Sequence, residues 1–225
     1  MLQAISVPRP LFRVARTPVW DWPDWAFAGR DGTFGNRYDD PESEYRVLYA
    51  SATRYGCFIE TLARYRPDLE LYAELATIDG PDDYVPQGVV PASWLRERWI
   101  GEAHATGTHA DVGSSPWIAY LRTKLPGDVL GANRDDFDAS VLYLSAPRAL
   151  TQAVSRIAFR EGFDGIRYLS KYGHDIVHCA VFEGRVFFSD EAESRIAWND
   201  EELHRALRVH HLRLEDAGAV ERSEA

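Results

Sequence analysis

The chain has 225 residues, 45% hydrophobic and 27% charged, with 25 Lys and Arg against 35 Asp and Glu for a net charge of −10. That balance suits one folded domain with a large core and excludes a wholly disordered chain. The acidic surplus argues against a protein whose main task is gripping nucleic acid or an anionic membrane.

Two cysteines, Cys57 and Cys179, make no disulfide framework, and their apolar neighbours suit buried reduced thiols. The segment Met1 to Pro10 lacks the apolar core of a signal peptide. No run approaches the roughly 18 apolar residues of a membrane span. A soluble, cytoplasmic protein is expected.

In chain order, Leu11 to Arg16 reads as a short strand, followed by a loop in which Pro18, Trp20, Trp22, Pro23 and Trp25 preclude a long helix. Gly29, Gly32 and Gly35 punctuate a turn-rich segment up to Pro41, and Arg46 to Ser51 reads as a strand. Thr53 is a cap for a helix running to about Arg66, where Pro67 stops it. Phe58, Ile59, Leu62 and Tyr65 form its apolar face, and Glu60 falls off the centre of that face, where it can line a cleft. Leu69 to Ala76 reads as a further strand. The stretch from Asp79 to Gly113, rich in Pro and Gly, receives no assignment. Ser114 or Ser115 with Pro116 opens a helix through Leu125.

Ala146 to Glu161 is predicted as a helix, with Ser145 as cap, Pro147 in the first turn and Gly162 at its end. Gly165 to Tyr168, Ile176 to Phe182 and Val186 to Phe188 read as strands, with Glu183-Gly184 as a hairpin turn between the last two. His210 and His211 are expected to alternate across a strand. The tail 215–225 is polar, leaving a single domain over 1–214 with an extended middle at about 79–113. Mixed strands and helices without a βαβ rhythm predict an α+β fold.

Several chemistries are excluded by pattern: there is no dinucleotide-binding glycine fingerprint, no phosphate loop and no Gly-x-Ser-x-Gly elbow. His104, His109 and Asp111 are too loosely spaced for a convincing zinc site. Arg37 in a glycine-rich loop, Tyr49 in a strand, Glu60 in a helix and Ser170 after a strand remain. By residue type alone these read equally as a solvated loop residue, a core aromatic, a helix-surface acid and a turn serine.

The order of short motifs resembles the RES-domain proteins, the toxin half of bacterial RES–Xre toxin–antitoxin pairs, named for an arginine, a glutamate and a serine. The matching stretches are Gly35-Asn36-Arg37-Tyr38, Val47-Leu48-Tyr49-Ala50-Ser51, Cys57-Phe58-Ile59-Glu60-Thr61-Leu62 and Gly165-Ile166-Arg167-Tyr168-Leu169-Ser170. Phe12-Arg13-Val14 and Leu150-Thr151-Gln152-Ala153 add to the set. Gly29-Arg30 competes for the arginine motif, but Arg37 stands at the better distance before the Leu-Tyr-x-Ser strand.

The resemblance implies an ADP-ribosyltransferase-like α+β fold, with a mixed, mainly antiparallel sheet and flanking helices. It also implies a toxin that arrests growth by consuming NAD+ through hydrolysis or phosphorolysis, NAD+ being substrate and no cofactor being needed. Arg37, Glu60 and Ser170 are then the catalytic set, and Arg13, Tyr38, Tyr49 and Arg167 the NAD+-binding set, with no metal. An Xre-family antitoxin is the implied partner, and Trp20, Trp22 and Trp25 read either as a contact surface for it or as side chains folded back onto the domain as an outer core layer. No direct nucleic-acid or membrane binding is expected, and homo-oligomerisation is left open. The alternatives are a protein ADP-ribosyltransferase and a non-catalytic domain that binds a nucleotide or a protein.

Overall fold

Leu11, Leu48, Ala50, Cys179 and Val181 fall at alternate strand positions, and so share one face of a sheet. The neighbouring positions Val47, Ile166, Ala180 and Phe182 occupy the opposite face. A computed structural model of the chain describes residues 2–75, 87–143 and 148–215. Eight strands make the sheet: β1 (Ala4–Ser6), β2 (Leu11–Ala15), β3 (Val47–Ser51), β5 (Trp99–Ala105), β6 (Thr108–Asp111), β7 (Gly165–Ser170), β8 (Gly173–Phe182) and β9 (Phe188–Arg195). Their order is β1-β6-β7-β8-β3-β2-β5-β9, and every pairing is antiparallel except β6 with β7. A separate parallel pair joins β4 (Gly88–Val90) to β10 (Leu212–Leu214).

The fold is a mixed, mainly antiparallel sheet with helices packed against it. Three of these, α4 (Ser115–Lys124), α5 (Pro126–Gly131) and α6 (Ala149–Arg160), supply Trp117, Leu121, Val129, Leu150 and Val154 to one core, which also takes Tyr38, Ala180 and Phe182. A second core is built by α1 (Arg54–Leu62), α3 (Ala92–Glu97) and α7 (Glu201–Val209). It joins Phe58, Ile59, Leu62, Trp94, Leu203 and Leu207 to Ile176 of β8. Among the described residues no helix is long and apolar enough to cross a membrane.

Several expectations are corrected. Leu69–Leu75 is a helix, α2, and not a strand. Leu, Glu and Ala are strong helix formers, and the Asp68 carboxylate accepts from the Glu70 amide at 3.1 Å. The helix opened by Thr53 is α-helical only to Leu62, and a 3-10 turn over Ala63–Tyr65 follows before Pro67. Gly184 turns the chain at φ +74°, but no hairpin follows. Both sides of β8 are already taken by β3 and β7, so the chain crosses to pair β9 with β5.

His210 caps the end of α7 and is buried, its Nε2 2.8 Å from the Ile59 carbonyl, while His211 turns at φ +53°. They form the turn between α7 and β10 and do not alternate within a strand. The helix α6 ends at Gly162 (φ +86°) as expected, whereas Ser145, Ala146 and Pro147 lie outside the described residues, as do 76–86 of the middle stretch and the tail 216–225.

One buried group sets an expected pH response. His109 on β6 is fully enclosed, and neither ring nitrogen has a hydrogen-bond partner among the described residues. Burial pushes its pKa down to about 4, against a smaller opposing pull from Asp164. The unfolded chain therefore binds a proton at His109 that the folded chain refuses between the ordinary histidine value and about 4. Stability is lost as pH falls through that window, by about 2 kcal/mol between roughly pH 6.5 and 5 for this group. Buried His178 and His210 add in the same direction. Urea unfolding at the two pH values measures the loss, and His109→Leu should flatten its own share; an unchanged pH slope would contradict the assignment.

Candidate active site

The Arg37 loop is held by carboxylates and by one face of α6. Asp39 is buried and accepts from the amides of Phe34 (3.0 Å) and Asn36 (2.7 Å) through Oδ2. Its Oδ1 accepts from the Tyr49 hydroxyl at 3.0 Å, and that hydroxyl accepts from the Tyr38 amide at 2.9 Å. From α6, Gln152 Nε2 donates to the Asn36 carbonyl (3.2 Å) and Ser155 Oγ to the Tyr38 carbonyl (2.6 Å). Arg156 pairs with the enclosed Asp40 carboxylate at 3.2 Å. Residues 152, 155 and 156 lie on one side of a helix, so a single surface of α6 grips the loop.

Glu60 comes from the opposite direction. Thr53 caps α1 by accepting from the Gly56 amide at 3.0 Å. Gly56 is what lets the helix lie so close to the sheet: a Cβ there would stand 2.2 Å from Ser51 Oγ and 2.9 Å from Ile176. The inward side of α1 is spent on Phe58, Ile59 and Leu62, which leaves the Glu60 carboxylate 41% exposed over the sheet.

Strand register supplies the floor. Ser51 of β3, His178 of β8 and Tyr168 of β7 stand side by side, His178 between the other two. A register shift after Leu169 places Ser170 at the end of β7. There its hydroxyl donates to Glu60 Oε2 at 3.2 Å and accepts from the Tyr172 amide at 3.1 Å. The Arg37 guanidinium reaches over the Tyr168 ring, 5.9 Å from its centroid. A cleft of about 150 Å³ results, walled by Arg13, Tyr49, Ser51, Glu60, Tyr168 and His178, with Cys57 and Thr61 from α1.

Burial dominates the electrostatics of the cleft walls. Burial raises the phenols of Tyr49 and Tyr168 well above their ordinary value, and Glu60 acts on Tyr168 in the same direction. Burial also pushes the Cys57 thiol up to about 12, so it is not a nucleophile at neutral pH. Arg13 fills the gap where β2 leaves β3, the two strands pairing only at Phe12 and Ser51. It donates to the carbonyls of Val19 (2.8 Å) and Tyr49 (3.3 Å). Burial lowers it to about 10, which keeps it a cation at neutral pH.

Of the residues singled out from sequence, Arg13, Arg37, Tyr49, Glu60 and Ser170 meet around this cleft, though the Tyr49 hydroxyl is committed to the Arg37 loop. Two do not. Tyr38 is enclosed in the core, where its ring backs Tyr168 at 4.9 Å. Arg167 turns away to Asp111 (3.1 Å) and lines a separate cavity of about 120 Å³, with Tyr168 as the shared wall. The rival Arg30 is exposed in the preceding turn. His104 faces Asp190 at 3.2 Å while Asp111 holds Arg167, so the loose trio of His104, His109 and Asp111 does not converge. Sequence reasoning missed Asp39, Tyr168 and His178 as parts of this site.

An arginine from the loop before β3, a glutamate from α1 and a serine from the end of β7 thus stand around one aromatic-walled cleft. The RES domain family model matches residues 10–206, and the chain belongs to that family. Among solved structures it is similar to a chain of the M. tuberculosis MbcT–MbcA toxin–antitoxin complex. That match has a TM-score of 0.47 and 14% identity, and covers 92% of this chain and 91% of that one. No curated protein matches the sequence.

Proposed function

We propose that this protein is a toxin-like enzyme that cleaves the nicotinamide–ribose bond of NAD+. The observation that carries the reading is the hydrogen bond from Ser170 of β7 to Glu60 Oε2 of α1, 3.2 Å, beside a cleft that Arg13 lines and that the Arg37 guanidinium approaches over Tyr168. Heterolysis of that bond leaves an oxocarbenium-like cation on the ribose, and the bonding electrons depart with nicotinamide as a neutral molecule. A fixed carboxylate beside the developing charge stabilises the cation and grips a ribose hydroxyl. Ser170 holds one Glu60 oxygen, and the other is left for the substrate. The Tyr49 and Tyr168 rings offer flat walls for the nicotinamide ring. Arg37 and Arg13 supply positive charge for the pyrophosphate, Arg37 with a planar fork.

With water as acceptor, its oxygen bonds to the ribose carbon, a proton is released to solvent, and ADP-ribose forms. With phosphate as acceptor the product is ADP-ribose 1″-phosphate. Membership of the RES family supports an Xre-family antitoxin as the partner that restrains this activity in the cell.

The test is incubation of the purified protein with NAD+, with and without phosphate, and analysis of the products. Free nicotinamide without labelled protein supports degradation, and the phosphate dependence identifies the acceptor. ADP-ribose transferred onto one protein would replace this reading with a protein ADP-ribosyltransferase. Unchanged NAD+ in every condition, from folded protein, defeats both and leaves a binding domain.

A further inference from the structure

His178 is the least explained side chain of the cleft. It stands in the middle of the three-strand row, its side chain 4% exposed. Its Nε2 is buried, has no hydrogen-bond partner among the described residues, and lies 3.6 Å from Glu60 Oε2. That oxygen is the one Ser170 holds, so two side chains from adjacent strands address the same atom. A buried acceptor with nothing to accept carries a desolvation cost, and such groups cluster where a site needs them.

We propose that His178 is a positioning residue for Glu60, leaving the carboxylate free for substrate while its ring is uncharged and capturing it when the ring is protonated. The inference rests on the NAD+ reading of the same cleft. At 3.6 Å a small rotation of either side chain brings an Nε2–H and Oε2 within hydrogen-bond distance. An imidazolium would make that contact a half-buried ion pair and compete for the charge that must face the ribose cation.

The groups facing His178 set the balance. Burial lowers its pKa most, Glu60 from α1 and a hydrogen bond to the Ala50 backbone raise it, and Arg37 from the loop before β3 lowers it. Tyr168 from β7 packs against the ring at 5.4 Å and stays protonated, as does Cys57 across the cleft; Arg13 is the other cation in the lining. The net direction is downward, so the ring is neutral at pH 7 and the capture develops only in acid.

Two measurements test this. First, kcat/KM for NAD+ is followed from about pH 7.5 to 5, above the range where ordinary carboxylates titrate, in wild type and in His178→Gln. The wild type should fall roughly tenfold per pH unit once below the histidine's pKa. The variant, whose amide does not titrate, should stay flat relative to its own value at pH 7.5. Second, the His178 ring is titrated by NMR in wild type and Glu60→Gln, and loss of the carboxylate should lower its pKa. A wild-type profile that stays flat below the His178 pKa found by NMR, or the same limb in both proteins, overturns the proposal. So does a His178 titration indifferent to Glu60→Gln, which also decides the matter if His178→Gln does not fold. Absence of NAD+ turnover at every pH defeats the functional reading instead, and the NMR titration then judges the pair by itself.

Discussion

Glu60→Gln is expected to abolish measurable NAD+ turnover while leaving the fold in place. The substitution keeps the side-chain size and the oxygen that accepts from Ser170, and removes only the charge. Because the carboxylate is 41% exposed and outside both cores, the folding cost should stay within about 0.5 kcal/mol. In the proposed reaction the charge acts where positive charge develops in the transition state. Single electrostatic contributors of this kind are worth about 10²–10³ in kcat, or roughly 3–4 kcal/mol of barrier. The signature is a collapse in kcat with little change in KM or in the urea midpoint. Near-normal turnover from a well-folded variant would remove Glu60 from catalysis.

Arg37→Ala should act on the other kinetic parameter. A guanidinium gripping pyrophosphate contributes about 1.5–3 kcal/mol, so KM should rise roughly 10- to 100-fold. Lys at this position should restore only part of the loss, since an ammonium lacks the planar fork. Arg30→Ala is the internal control: it is exposed in the turn before the loop, and its loss should leave KM close to wild type. An inactive Arg30 variant beside a normal Arg37 variant would show that the first motif was placed on the wrong arginine.

How far the sequence could be read depended on period and on distance along the chain. Glu60 was legible because helical spacing put Phe58, Ile59 and Leu62 inward and left the carboxylate off that face. Arg37 and Ser170 stood out only through the ordered motifs, since a loop arginine and a serine after a strand have no period to betray them. His178 was hidden inside Ile176 to Phe182, which reads as a buried strand, and its relation to Glu60 exists only in the strand register. Asp39 was equally silent, because its partners are backbone amides and the hydroxyl of Tyr49. The long edge strand β9 carries Asp190, Glu191 and Glu193 on an exposed surface, so it shows no alternation of apolar residues. The strand assigned to Leu69–Ala76 failed for the reverse reason: a run this short does not separate a strand from a helix, and local propensity decided.

The two cores meet at this cleft. The Arg37 loop is fastened to the packing unit of α6, whereas Glu60 rides on α1, which belongs with α7; β8 contributes Ala180 and Phe182 to the first and Ile176 to the second. Units of this kind open with separate free energies, so arginine and glutamate can part company while most of the chain remains native. Warming should therefore abolish the proposed NAD+ turnover before the circular dichroism signal moves. A dinucleotide lying across the cleft would act as a tie between the halves, slowing amide exchange in α1 and in the loop together.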